Sequence, residues 1–249
     1  MSFMTSKEFE INYYEIDYKK RALITTLMNY FEDVSTKQSE ELGVGLDYLT
    51  KKNLGWVIYK WNVQVERYPV YGEKIKVRTI PLSSRKFYAY RKFEILDDKG
   101  DIIVTAESIW FLIDILKRKA IRVTEEMKQA YEIQETKIDP FNIKKIVKSK
   151  NTDFEKLFSV RYSDIDTNRH VNNVNYVVWA IETVPIKTIT TCTLKKINIT
   201  YEKEAKYGNV IKVMTEIINK SEKNIVCIHK IIDDQDNILS LLETYWELD

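Results

Sequence analysis

The strongest constraint on this chain is that it repeats itself. Glu15-Ile16-Asp17 matches Asp164-Ile165-Asp166, and Asp33 matches Glu182. Tyr71-Gly72 matches Tyr207-Gly208, Asp97-Asp98 matches Asp233-Asp234, and Glu107 and Trp110 match Glu243 and Trp246. The order is the same throughout, with a longer insert after the helix of the first half. A repeat of this length marks a duplicated domain rather than a solenoid. Each copy reads as a strand, an apolar helix and a run of long antiparallel strands. A sheet must cover its apolar face, and one helix wrapped by the sheet does so. The class is therefore α+β. The expected boundaries are a first domain over residues 1–134, a polar connector over 135–155 and a second domain over 156–249.

The element reading follows from periodicity. Ile11 to Tyr18 reads as a strand leading into a loop. Ala22 to Val34 reads as a helix with Ile24, Leu27, Met28 and Phe31 on one stripe. Gly43 to Asn53 is an excursion, followed by strands at 55–65, 74–80, 85–96 and 102–116. Asp97-Asp98-Lys99-Gly100 is a hairpin turn. Thr124 caps a helix running to Ile133.

With 249 residues and 44% hydrophobic content there is material for a sizeable core. The charges balance, 39 basic against 37 acidic, which argues against a dedicated nucleic-acid binder. The two cysteines, Cys192 and Cys227, fit neither a disulfide framework nor a metal cluster. Neither an apolar leader in Met1 to Glu10 nor a long apolar run is visible, so a soluble cytoplasmic protein without a membrane anchor is expected. No metal and no cofactor are expected, and a homodimer is compatible with the reading.

The densest chemistry lies in Val160 to Tyr176, which holds one of only two histidines. Asp166, Asn168 and His170 are spaced by two. In an extended segment they project to one side, so a carboxylate, a carboxamide and an imidazole could face one cavity. Asn172 and Asn173 offer N-cap chemistry to a helix that is apolar nearly all round, with Val174, Val177, Val178 and Ile181 at helical spacing and Pro185 ending it. The positive end of such a helix suits a developing oxyanion. Asn and His before a helix also serve as plain caps and turn formers, and that reading stays open here. In the first copy Asp17 keeps the acid, while Lys19 and Arg21 stand in the places of Asn168 and His170. A duplicated enzyme that keeps one site and lets the other drift has this pattern.

Asp166-x-Asn168-x-His170-Val171-Asn172-Asn173-x-x-Tyr176, followed by Trp179, Glu182 and Pro185, resembles the signature of the acyl-acyl-carrier-protein thioesterases of plants and bacteria. The first half agrees at Glu66-Arg67-Tyr68-Pro69, Gly72, Ala106-Glu107-Ser108-Ile109-Trp110 and Lys117-Arg118-Lys119. The resemblance implies two hot-dog folds in tandem. It also implies hydrolysis of the thioester between a fatty acyl chain and the phosphopantetheine arm of the carrier protein, in fatty acid biosynthesis. Its catalytic set falls on Asp166, Asn168, His170 and, on the next strand, Glu204. Where plant members often carry cysteine after that glutamate, this chain has Ala205. Plant relatives also carry a transit peptide, which a bacterial cytoplasmic form would not need.

Strand alternation by itself points Ile197, Ile199 and Tyr201 toward the helix and Glu204 outward unless a bulge intervenes, so a solvated strand-end carboxylate is the alternative for Glu204. The chemistry expected is water activation by Asp166, His170 and Glu204, with Asn168 positioning water or the carbonyl. The backbone N–H groups of Val171, Asn172 and Asn173 hold the oxyanion. Whether a carboxylate attacks directly is left open. Glu182 is a lesser candidate, and His229 reads as structural. The drifted copy is expected to contribute the acyl pocket, through residues such as Trp56 and Met28. The rivals are an acyl-CoA thioesterase, a hot-dog dehydratase and a non-catalytic acyl-binding module.

Overall fold

A computed structural model describes residues 3–141, 143–166 and 169–249. The chain divides into two units, one of Met1–Tyr59 with Val65–Ile143 and the other of Lys60–Gln64 with Lys144–Asp249.

The first unit opens with β1 (Thr5–Glu10), α1 (Ile24–Glu41), α2 (Leu46–Lys52) and β2 (Leu54–Val65), of which Lys60–Gln64 belong to the second unit. It continues through β3 (Lys74–Arg85), β4 (Tyr88–Leu96), β5 (Ile102–Asp114) and the short β6 (Lys119–Ile121). It closes with α3 (Glu125–Ala130) and β7 (Gln134–Glu135). Strands β1, β3, β4 and β5 pair in that order, all antiparallel. Helix α1 packs on β1 and β3. Its stripe of Ile24, Leu27, Met28, Phe31 and Val34 is buried, and Phe31 meets Phe93 with ring centres 5.0 Å apart. Each such side chain contributes about 1.5–3 kcal/mol by leaving water, which outweighs the weak helix propensity of this Thr- and Ser-containing sequence.

The second unit holds β8 (Phe154–Ser159), α4 (Asn173–Thr183), α5 (Ile186–Thr191), β9 (Cys192–Tyr201), β10 (Val210–Lys220), β11 (Asn224–Ile232) and β12 (Ile238–Leu248). Its strands run in the order β9, β12, β11, β10, β8, and residues Lys60–Gln64 pair with β9. Helix α4 lies against β8, β10, β11 and β12. Val174, Tyr176, Val177, Trp179 and Ala180 are buried on it. Each unit is thus a hot-dog, an antiparallel sheet packed around one long helix, and the chain carries two of them in tandem as expected.

Three local readings need correction. The expected strand Ile11 to Tyr18 is a single 3-10 turn over Tyr13–Glu15, and the true edge strand is β1. Asn12 and Glu15 close that turn, with the Asn12 N–H donating to Glu15 Oε2 at 2.8 Å, so local polar pairing overrides the β-prone tyrosines. The excursion 43–53 contains α2, whose neighbourhood covers a small satellite core of Val44, Leu54, Leu112, Met127 and Tyr131. Trp56 packs against that core. The connector is not wholly polar, because Phe141 and Ile146 are each buried in their own unit.

The duplication reaches individual hydrogen bonds. At the hairpin after β4, Asp97 Oδ1 accepts from the N–H groups of Lys99 and Asp101, both at 3.0 Å, and Gly100 has φ 88°. At the hairpin after β11, Asp233 Oδ1 accepts from Gln235 at 3.0 Å and Asn237 at 2.8 Å.

His229 is fully buried between two hydroxyls, with Nδ1 2.8 Å from Thr215 Oγ1 and Nε2 2.8 Å from Thr244 Oγ1. Burial disfavours the imidazolium and pushes its pKa down from the usual 6.5 to about 3. The unfolded chain therefore binds a proton that the folded chain refuses. Stability from this group is complete above pH 6.5 and is lost as pH falls from 6.5 toward 3, at up to about 1.4 kcal/mol per pH unit. Urea titrations are expected to show a steeper fall in stability below pH 6.5 for the wild type than for His229→Phe, the residue found at the equivalent Phe93.

Candidate active site

The approach to α4 is a turn, not an extended segment. Asp164, buried to 1% exposure, accepts from the Arg161 N–H and guanidinium, both at 2.8 Å. Ile165 and Val171 then form an isolated bridge. Between them the Asp166 N–H donates to the His170 carbonyl at 2.8 Å, and the Arg169 N–H donates to the Asp166 carbonyl at 3.0 Å. Asp166 Oδ1 accepts from the His170 main-chain N–H at 3.2 Å. Arg169 takes φ 64° to make the reversal. Asp166 and His170 are therefore the two ends of a turn and not neighbours along one face of a strand. An aspartate that caps the backbone two to four residues on folds the segment into a closed loop. Thr167 and Asn168 lie outside the described residues, and so does the expected role of Asn168.

Glu204 is not on a strand either. β9 ends at Tyr201, where the N–H groups of Glu202 and Lys203 both donate to the Leu239 carbonyl, at 2.8 and 3.1 Å. Two residues facing one acceptor is a bulge, and it takes the chain out of the ladder so that strand alternation no longer applies. The loop turns back over the start of α4. The Val171 N–H donates to the Ala205 carbonyl at 3.0 Å, and the Ala205 N–H donates to Tyr176 Oη at 2.9 Å. Glu204 Oε2 comes to 3.3 Å from His170 Nε2. The side chains are 28% exposed for His170 and 45% for Glu204, so the pair is reachable from solvent.

The structure brings His170 and Glu204 together, and Asp166 accepts from the main-chain N–H of His170. Of the three backbone donors expected for an oxyanion, two are engaged. Val171 N–H serves Ala205, and Asn172 N–H donates to the Asp164 carbonyl at 2.8 Å. Asn172 Oδ1 caps α4 by accepting from Val174 N–H at 2.9 Å. The Asn173 N–H meets no acceptor among the described residues. Glu182 sits at the opposite end of α4, where its carbonyl accepts from the Lys156 ammonium.

Tyr176 stands in the signature quoted above with no role assigned to it. Its ring is buried, but its hydroxyl belongs to the site. Burial, aided by the charges of Glu204 and Asp166 and opposed by the Ala205 N–H, pushes the phenol up to about 12. A tyrosine on a helix apolar nearly all round is the available signal, since a buried phenol needs a partner.

The first unit keeps the scaffold and loses the pair. Asp17 Oδ1 accepts from the Arg21 N–H at 2.9 Å, the Asp17 N–H donates to the Arg21 carbonyl at 2.8 Å, and the Ala22 N–H donates to the Pro69 carbonyl at 2.8 Å. In place of imidazole and carboxylate stand the Arg21 guanidinium, bonded to Asp17 Oδ2 at 3.1 Å, and the Tyr68 ring 5.6 Å away. Arginine does not give up its proton at neutral pH, so Arg21 cannot replace the imidazole as a base.

Residues 2–131 match the family model of the acyl-ACP thioesterase N-terminal domain, and residues 147–248 match that of the C-terminal domain. The chain belongs to the acyl-ACP thioesterase family. It is 29% identical over 234 residues to a chloroplastic palmitoyl-acyl carrier protein thioesterase of Gossypium hirsutum, covering 89% of this chain and 57% of that one. It is 30% identical over 224 residues to the enzyme of the same description from Arabidopsis thaliana, covering 85% and 54%. The chain thus spans little more than half the length of the curated relatives it matches. Among solved structures it resembles a Lactobacillus plantarum protein described as an oleoyl thioesterase, with 27% identity, TM-score 0.94 and coverage of 99% and 97%. It also resembles the 12:0-ACP thioesterase of Umbellularia californica, with 25% identity, TM-score 0.88 and coverage of 99% and 94%.

The thiols of this family member are remote from the pair. Cys192 begins β9, a ten-residue strand about 30 Å long, and Glu204 lies beyond its other end. Cys227 is buried in β11, and burial pushes its thiol up to about 11. Both thiols are buried, so reagents reach neither in the folded protein. Iodoacetamide at pH 7.5 is expected to leave both cysteines unmodified by mass spectrometry until denaturant is added. Rapid labelling of either thiol in the folded protein would contradict the burial found here.

Proposed function

We propose that this chain hydrolyses fatty acyl-acyl-carrier-protein to free fatty acid and carrier protein. The observation that carries this reading is the His170–Glu204 pair at the N-terminus of buried α4, within a chain matched along both halves by one thioesterase family. His170, backed by Glu204, takes a proton from water, and the oxygen attacks the acyl carbon. The developing oxyanion is met by the Asn173 N–H at the positive end of α4. The C–S bond then breaks, the thiolate takes the proton from His170, and the acid leaves. The first unit, with Asp17 tied to Arg21, does no chemistry and shapes acyl-chain preference.

Two sets of basic residues suit the carrier's acidic surface: in the second unit Lys144, Lys145, Lys148 and Lys150, all exposed and without an ion pair among the described residues, and in the first unit Lys19-Lys20-Arg21 and Lys117-Arg118-Lys119. Of these, Arg21 and Lys117 already pair with Asp17 and Asp114. No described helix is long and apolar enough to cross a membrane, and no described cluster of His, Cys, Asp and Glu could hold a metal.

The test is release of free thiol from acyl-carrier-protein and acyl-CoA panels of varied chain length. His170→Ala and Glu204→Gln are each expected to lower kcat by at least about 10², the scale of a positioned base. Asp166→Asn keeps the acceptor for the His170 N–H, so a comparable loss there reads the charge rather than the turn. Near wild-type turnover in any of them removes that residue from the mechanism. KM for the carrier substrate is expected to rise with salt more than KM for the CoA thioester. Equal salt responses, or faster turnover of CoA thioesters, would favour the acyl-CoA reading.

A further inference from the structure

We infer that Tyr176 is a positioning residue whose hydroxyl, through the Ala205 N–H, holds Glu204 against His170. The inference rests on the hydrolase reading for its kinetic consequence, but its geometric content stands apart from it.

Among the described residues the Glu204 side chain has one polar partner, His170. Half-exposed and on a loop, it depends on its backbone for placement. That backbone is pinned at the next residue. Ala205 is 1% exposed, its carbonyl accepts from Val171 N–H, and its N–H is taken by Tyr176 Oη. Tyr176 is itself fixed: its ring meets Tyr201 edge-on at 5.5 Å and Trp179 at 5.4 Å. Tyr201 Oη in turn donates to the Asn173 carbonyl at 3.1 Å, at the first turn of α4.

The first unit supplies an internal control. The same loop is held there by the equivalent main-chain bond, Ala22 N–H to Pro69 carbonyl. The tyrosine bond is gone from both sides at once. Leu27 stands in the place of Tyr176, and Pro69, which has no N–H, stands in the place of Ala205. Val65 replaces Tyr201, Tyr68 replaces Glu204 and Arg21 replaces His170. The main-chain bond alone is enough to fold the loop. The hydroxyl bond is present in the unit that holds the imidazole–carboxylate pair and absent from the unit that lacks it, which is what a placement device for that pair requires.

The experiment is a double-mutant cycle of Tyr176→Phe and Glu204→Gln, with Ala205→Pro as the partner-side variant. Tyr176→Phe is expected to lower kcat about 10- to 100-fold with KM within about 3-fold, the scale of a displaced catalytic group. In the Glu204→Gln background it should add almost nothing. Ala205→Pro should reproduce the loss, and Tyr176→Phe should add nothing to it. The chain has two histidines and His229 is buried, so the imidazole resonances of His170 can be followed singly. In Tyr176→Phe they should move toward those of Glu204→Gln. Wild-type kcat in Tyr176→Phe, or a full multiplicative loss in the Glu204→Gln background, would overturn the inference. If the wild-type protein cleaves no acyl thioester, the hydrolase reading fails. The imidazole resonances then still decide this one, unchanged signals in Tyr176→Phe refuting it.

Discussion

The site hangs on one main-chain hydrogen bond, from Val171 N–H to the carbonyl of Ala205. It joins the entry to α4 with the loop that leaves β9, segments far apart in sequence. Because it uses only peptide groups, it places no demand on side chains, and the Ala22–Pro69 bond of the first unit is its counterpart. Buried peptide groups must be paired, so the fold secures this junction in both units whatever residues surround it. Side-chain chemistry is then free to differ on a fixed frame. One unit holds His170 and Glu204 there, and the other holds Arg21 and Tyr68.

The aspartate belongs to the frame as much as to the chemistry. Asp17 and Asp166 make the same bond to the main-chain N–H four residues on, at 2.9 and 3.2 Å. In the first unit that bond persists beside an arginine that cannot act as a base. Its survival there is explained by turn formation alone. A carboxylate shared by both copies is therefore weak evidence of catalysis, whereas a residue found only where imidazole and carboxylate meet is stronger evidence. By that criterion Glu204, His170 and Tyr176 stand together and Asp166 stands partly outside.

Much of this was legible in the chain itself. The matched pairs located two copies, and the stripe Ile24, Leu27, Met28 and Phe31 located the buried face of α1. Thr124 capped α3 as expected, accepting from Met127 N–H at 3.2 Å. What escaped was decided by contacts distant in sequence. Alternation pointed Glu204 outward because nothing local announces that Glu202 and Lys203 share the Leu239 carbonyl. Spacing by two looked like a strand edge at Asp166 to His170 because the reversal at Arg169, φ 64°, is made by an arginine and not by glycine or asparagine. Tyr176 was hidden by its own hydrophobicity, since the ring satisfies the helix pattern while the hydroxyl does the placing.

The two histidines of this chain show how environment assigns a role. His229 has a hydroxyl on each nitrogen, no exposure and a pKa pushed to about 3. Such an imidazole is locked neutral through the pH range of life, so it can neither collect nor deliver a proton. Its counterpart position in the first unit is Phe93, so a ring is what the core needs there. His170 is partly exposed, faces a carboxylate and sits just before the N-terminus of a helix. Its counterpart is Arg21, which changes both its charge behaviour and its neighbour. A site that must pass a proton needs a group able to exist in both states at one pH. In the second unit His229 fails that condition, and His170 is the imidazole that stands 3.3 Å from a carboxylate within reach of solvent.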